Sequence, residues 1–152
     1  MPGGRRRPHP FGFARSRHAN PARDTGRVLH PPHESAAAPV ILFLYGTLLD
    51  PAVLARMSGE PVLPRRLRPA RLAGWRRVFL RGTPYPTLVE DAASVVEGAV
   101  LRAGPAAVAR LAAYEGSAYA MVPVTVATAR GAVRARAWIA PAWRADAARP
   151  WP

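Results

Sequence analysis

The chain has no cysteine, no lysine, few acids and no long apolar run. Without cysteine there is no disulfide, no thiol nucleophile and no thiolate metal site, and the composition fits a reducing, cytoplasmic setting. Without lysine, all 22 basic residues are arginine, set against nine acids for a net charge of +13. Abundant Arg, Ala and Pro with no Lys matches a GC-biased coding sequence, a compositional source for part of that charge. The other source is attraction to nucleic acid or another anionic surface, but the arginines are scattered and form no aromatic-interleaved motif. No apolar stretch reaches the roughly 18 residues of a membrane helix. The longest, Pro39 to Leu49, ends at Asp50-Pro51, so no membrane partner is expected.

What is present divides the 152 residues in two. Residues 1–38 are rich in Pro, Arg, His and Gly and have almost no aliphatic periodicity. Seven arginines there face Asp24 and Glu34. Such a segment cannot bury enough apolar surface to offset its ordering entropy, and it reads as a disordered tail. All four histidines lie in it. His30 and His33 have a tolerable ligand spacing, but nothing nearby completes a shell, so no metal site is expected. Nucleic-acid binding through this basic tail is possible and not favoured.

Residues 39–152 form the domain. Val40 to Tyr45 is short, β-branched and aromatic, and reads as a strand buried on both faces. Gly46-Thr47-Leu48 turns the chain, Asp50 caps a helix and Pro51 occupies its first turn. Gly59 ends that helix. A strand is expected over 71–81 around Gly74, with a connection before it over 61–70. Tyr85 to Val89 reads as a short edge strand or extended loop, because Pro86 cannot donate to a ladder. Glu90 and Asp91 then fall in a polar connection before a strand over 94–102. Pro105 opens a second helix to about Tyr114, and strands over 121–128 and 132–140 form a hairpin. Residues 143–152 read as a loop or one helical turn. About six strands and two helices make an α+β domain with a strongly curved or closed sheet.

Two features bear on chemistry. The strand–loop–helix at 40–51 gathers backbone N–H groups in one small volume, which suits a carboxylate or an oxyanion. On this stretch alone, a plain strand–loop–helix connection is the favoured reading. The second feature is Glu115. It lies four residues beyond Leu111 and seven beyond Val108, on the apolar face of its helix. Burial there raises its pKa toward neutral and suits it to proton transfer. Alternatively the helix ends a residue early and Glu115 pairs with an arginine; the sequence leaves both open. The domain offers no serine, histidine or lysine arrangement for a nucleophilic triad and no Gly-rich phosphate loop. Proton transfer by one carboxyl suits an intramolecular acyl transfer in which the substrate brings its own nucleophile.

Over residues 40–140 the chain resembles the γ-glutamylcyclotransferase-like family. The resemblance rests on Tyr45-Gly46-Thr47-Leu48 closing the first strand, on Gly74 with Val78, on Tyr85-Pro86 and on Val96-Glu97-Gly98. It continues through Leu111 to Gly116, which contains Tyr114-Glu115, followed by Tyr119. It implies a small curved, mainly antiparallel β-barrel with flanking helices. It also implies that backbone groups of Tyr45, Gly46, Thr47 and Leu48 bind a small γ-glutamyl substrate, with Glu115 as general acid/base. The implied reaction releases 5-oxoproline and an amine or amino acid without metal or organic cofactor. Ala112 and Ala120 stand where many relatives carry an acid and an arginine. Cyclotransfer is the leading expectation; those departures, with the arginine content, are what argues for the alternative, a catalytically silent barrel acting as a basic binding module for nucleic acid or another anionic partner.

Overall fold

The computed structural model describes residues 38–152. The expected disorder of the tail and its histidines therefore lies outside the described residues, apart from Ala38. Six strands and two helices follow in the order β1 (Val40–Leu44), α1 (Pro51–Ser58), β2 (Arg68–Leu80), β3 (Pro86–Ala103), α2 (Pro105–Glu115), β4 (Ala120–Thr128), β5 (Gly131–Ile139) and β6 (Ala145–Pro150). Short 3-10 turns cover Thr47–Leu49, Leu63–Arg66 and Ala142–Arg144.

The strands run in the order β3-β1-β5-β4-β2, and β2 pairs back onto β3, so five strands close a barrel. β6 adds to β2 at its side. All pairings are antiparallel except β1 with β5. Closure needs curvature. β2 supplies some of it through a register shift between Ala73 and Trp75, where Gly74 adopts φ +85°. A bulge with glycine in the left-handed region bends a strand and increases its twist.

Alternation along β1 builds two cores. Phe43 points into the barrel with Leu72, Leu88, Val96, Val126 and Ala137. Leu42 and Leu44 point outward, where Leu54 of α1 and Ala107 and Leu111 of α2 cover them. Each buried Leu here contributes on the order of 1.5–3 kcal/mol. β1 is thus buried on both faces because helices cover the outside of the barrel at this one place. Asp50 caps α1, accepting from Ala52 N at 2.9 Å and Val53 N at 3.4 Å. Gly59 ends α1 in the left-handed region.

Three expectations are corrected. Tyr85 to Val89 is not a short edge strand: Pro86 begins an 18-residue β3 that runs through Glu90 and Asp91. Pro86 is tolerated because it is the strand's first residue. Asp91 accepts from Ser94 Oγ at 2.7 Å and Ala93 N at 3.1 Å, which lowers its pKa, and it lies 3.4 Å from Arg76. The stretch 61–70 is not merely a surface connection: Leu63 is fully buried in the helix-side core, and β2 starts at Arg68. The C-terminal stretch ends in β6, held by Trp151 Nε1 donating to Pro84 O at 3.1 Å and by Arg77 over the Trp151 ring. Trp138 shares the outer face of β5 with Arg134 and Arg136, and it is buried because it lies under the helices.

Gly98 marks where β3 crosses β1. A Cβ there would meet the Leu44 carbonyl oxygen and stand 2.7 Å from the Phe43 ring. Backbone and a packed core ring have little room to give way. Gly98→Ala is therefore expected to destabilise the domain by about 3 kcal/mol, near the upper end of overpacking effects. A thermal melt should show this as a Tm lower by about 10 °C. An unchanged Tm would mean that the β1–β3 crossing is looser than drawn.

Candidate active site

At the C-terminal end of β1 the barrel opens into a cavity of about 140 Å³. It is lined by Phe43, Leu44, Tyr45, Gly46, Thr47, Leu48, Tyr85, Pro86, Tyr114, Glu115, Tyr119 and Trp138. The volume is well below the roughly 300–1,000 Å³ of drug-sized ligand sites. It leaves room for one small moiety.

The loop after β1 is anchored at both ends. Tyr45 is buried in the barrel interior, and its hydroxyl donates to the Trp138 carbonyl. Leu48 is buried on the opposite side, in the helix-side core. The Tyr45 carbonyl accepts from Arg77 Nη1 at 3.2 Å. Between the anchors, Gly46 passes against Pro86: a Cβ would stand 2.8 Å from Pro86 Cγ. Leu49 N and Asp50 N donate back to Gly46 O and Thr47 O. Among the described residues no group accepts from the N–H of Gly46, Thr47 or Leu48.

Glu115 is the last residue of α2, and the chain leaves it through Gly116, whose N–H donates to Ala112 O. The helix does not end early. No described arginine lies within ion-pair distance of this carboxyl. Burial raises its pKa to about 7. Around it stand three tyrosines with defined partners. Tyr119 OH donates to Pro86 O at 2.7 Å, and burial followed by the Glu115 charge raises its pKa to about 12. Tyr114 OH shares a hydrogen bond of 2.9 Å with Thr47 Oγ1, tying α2 to the loop. The Tyr45 phenol is held well above its ordinary range, by burial first and then by Tyr119 and Glu115. The phenols of Tyr45 and Tyr119 therefore stay neutral at pH 7, whereas Glu115 titrates near neutrality.

The sequence profile of the family described as gamma-glutamyl cyclotransferase, AIG2-like, matches residues 42–151. The chain belongs to that family. A solution structure of an Arabidopsis thaliana protein is similar to it at 26% identity and TM-score 0.60, over 75% of this chain and 76% of that one. A second Arabidopsis thaliana solution structure matches at 30% identity and TM-score 0.55, over 67% of this chain and 62% of the other. A structure named as a gamma-glutamyl cyclotransferase matches at 19% identity and TM-score 0.58, over 68% and 67%, and supports the shared fold. Among curated proteins no sequence matches this chain. The closed barrel with two helices is the fold of these neighbours.

For this AIG2-like chain, the five residues singled out in the sequence all line one cavity: Tyr45, Gly46, Thr47, Leu48 and Glu115. Two of them line it as anchors, since the side chains of Tyr45 and Leu48 are committed to the two cores. Sequence reasoning did not place Tyr85, Pro86, Tyr114, Tyr119 or Trp138 in the site. Tyr114 carried a usable signal, being three residues beyond Leu111 on the helix face that holds Glu115. Tyr119 and Trp138 carried none, because each reaches the cavity by pairing across the fold. Ala112 and Ala120 are exposed and do not line the cavity.

Proposed function

We propose that the protein catalyses γ-glutamyl cyclotransfer, releasing 5-oxoproline and an amine or amino acid from a γ-glutamyl compound. The observation that carries this reading is a desolvated carboxyl, Glu115, lining the same small cavity as a loop with unpartnered N–H groups. In this reading Glu115 takes a proton from the substrate's α-ammonium group. The freed amine attacks the γ-carbonyl carbon and closes a five-membered ring. Charge moves to the carbonyl oxygen, where N–H groups of Gly46, Thr47 and Leu48 are at hand to donate. As the intermediate collapses, the ring nitrogen gives its second proton to the departing nitrogen, the bond to that nitrogen breaks, and Glu115 returns its own proton there, so that the leaving group departs as an ammonium. Each group is used once, and the carboxylate is regenerated.

Physical chemistry supports the assignment on two counts. Nucleophile and carbonyl belong to one molecule, so a cavity that folds the glutamyl chain on itself supplies much of the rate enhancement through proximity. A carboxyl with pKa about 7 both accepts and donates near neutral pH, where acid/base catalysts are most effective. The cavity accommodates the glutamyl moiety, which leaves the departing group at the mouth beside Tyr85, itself half-exposed.

A panel of γ-glutamyl amino acids and γ-glutamyl amines, assayed for 5-oxoproline, tests the reaction. At least one member should be turned over. For that member kcat/KM should rise with pH through an apparent pKa of about 7, because the base must be ionised to act. Absence of release from every member would overturn the reaction. A profile flat from pH 6 to 8 would remove a neutral-range carboxyl from the mechanism.

A further inference from the structure

The opposite end of the barrel carries a second depression, where β1 and β5 begin and β3 and β4 end. At about 870 Å³ it is much larger than the Glu115 cavity and falls within the size range of small-molecule sites. Its lining includes Arg65, Arg66, Arg68, Arg71, Arg102 and Arg130, with Glu97 as the single acid. That acid is already paired with Arg71 at 3.0 Å. Arg66 lies 4.0 Å from Glu60, and Arg68 donates to the carbonyls of Arg65 and Leu67. Among the described residues, the guanidinium groups of Arg65, Arg102 and Arg130 have neither an acid within ion-pair distance nor a hydrogen-bond acceptor. Three cations thus stand unneutralised around one basin.

The floor has the opposite character. Ile41, Val100, Leu101 and Val133 form it, and Ile41, Val100 and Val133 belong to or pack against the barrel's own core. The apolar interior therefore reaches the surface here. No aromatic side chain lines the basin, so it offers no platform on which nucleobases stack. Guanidinium groups bind phosphate and carboxylate through charge-assisted hydrogen bonds, while an aliphatic floor takes up hydrocarbon.

We propose that this basin binds a single-chain anionic amphiphile taken from solution, with its head on Arg65, Arg102 and Arg130 and its aliphatic chain on the Ile41–Val100–Val133 floor. This site lies at the other end of β1 from Glu115 and stands or falls independently of the cyclotransfer reaction.

Calorimetry on the full chain tests it, with decyl phosphate and octyl phosphate below their micellar concentrations. Decyl maltoside and inorganic phosphate serve as chain-only and charge-only comparisons. Decyl phosphate should bind one to one and about fifteenfold more tightly than octyl phosphate, since each of the two extra buried methylenes is worth about fourfold. Neither decyl maltoside nor inorganic phosphate should bind comparably. The triple variant Arg65→Ala, Arg102→Ala, Arg130→Ala, all at exposed positions, should keep its melting temperature and bind decyl phosphate about a hundredfold more weakly. Equal affinity for the two chain lengths, or unchanged affinity in the triple variant, overturns the proposal. So does binding seen only with an RNA oligonucleotide, which would make the basin a polyanion site. Binding seen only with phosphatidylglycerol vesicles overturns it too, by making this end a membrane-facing surface.

Discussion

Glu115→Gln is expected to reduce kcat on any γ-glutamyl substrate the protein turns over by about a thousandfold, with little change in KM. Glutamine keeps the shape and hydrogen-bonding reach of the side chain but neither accepts nor releases the proton. Loss of a positioned acid/base typically removes a factor of about 10²–10⁴. The unpartnered N–H groups of Gly46, Thr47 and Leu48 and the tethered geometry of the substrate remain in the variant. Residual turnover should therefore persist, and its ascending pH limb near 7 should disappear. The measurement is single-substrate kinetics of 5-oxoproline release for both proteins across pH 5.5–9. Equal kcat in the two would exclude Glu115 from proton transfer. A rise in KM with kcat intact would make it a binding group instead.

The same substitution is expected to stabilise the fold at alkaline pH. Folding raises this carboxyl from an ordinary 4.5 to about 7, through burial. Below pH 4.5 the group is protonated in both states, and its ionisation does not affect stability. Between 4.5 and 7 the unfolded chain releases a proton that the folded chain retains, so stability falls as pH rises. Above 7 both states are ionised and the loss is complete. It amounts to about 3 kcal/mol at roughly 1.4 kcal/mol per unit of pKa difference. Glutamine stays neutral and escapes this loss. Relative to wild type, Glu115→Gln should be nearly neutral in stability at pH 4 and more stable by about 3 kcal/mol at pH 8.5, near 10 °C in Tm. Taking the difference between the two proteins at each pH cancels the titration of every other group. A difference that does not change with pH would show the carboxyl to be well solvated. An inactive variant more stable than its parent is the pattern expected where a catalytic group is held in an unfavourable environment.

The two ends of the barrel differ in kind. At the Glu115 end, polar groups converge on a small cavity, and their hydrogen bonds run between elements: Tyr119 to Pro86, Tyr114 to Thr47, Tyr45 to Trp138. These bonds tie the loop after β1, the start of β3 and the end of α2 into one frame, which suits a site that must hold its geometry. At the arginine end, the rim side chains are long and exposed, and three of the six arginines are uncommitted among the described residues, over a floor that the fold itself needs as core. No helix among the described residues is long and apolar enough to cross a membrane.

Residues close in sequence determined a large part of this structure. The apolar run Val40–Tyr45 predicts a strand buried on both sides, Asp50-Pro51 predicts a capped helix, and Gly59 predicts its end. The spacing Val108–Leu111–Glu115 predicts a carboxyl on the covered face of α2. These are statements about periodicity and local hydrogen bonding, which neighbouring residues decide. Tertiary structure decided the rest. Pro86 interrupts a strand pattern locally, yet β2 pairs alongside from Pro86 to Val100 and β1 from Ala99 to Ala103, so one strand runs from Pro86 to Ala103. Trp138 shares its strand face with Arg134 and Arg136, yet helices cover that part of the outer face and bury it. The cavity itself exists because the barrel closes and brings residues 45–48, 85–86 and 114–119 to one mouth. Local pattern tells which side of an element is apolar, whereas burial and pKa depend on what arrives from elsewhere in the chain to cover it.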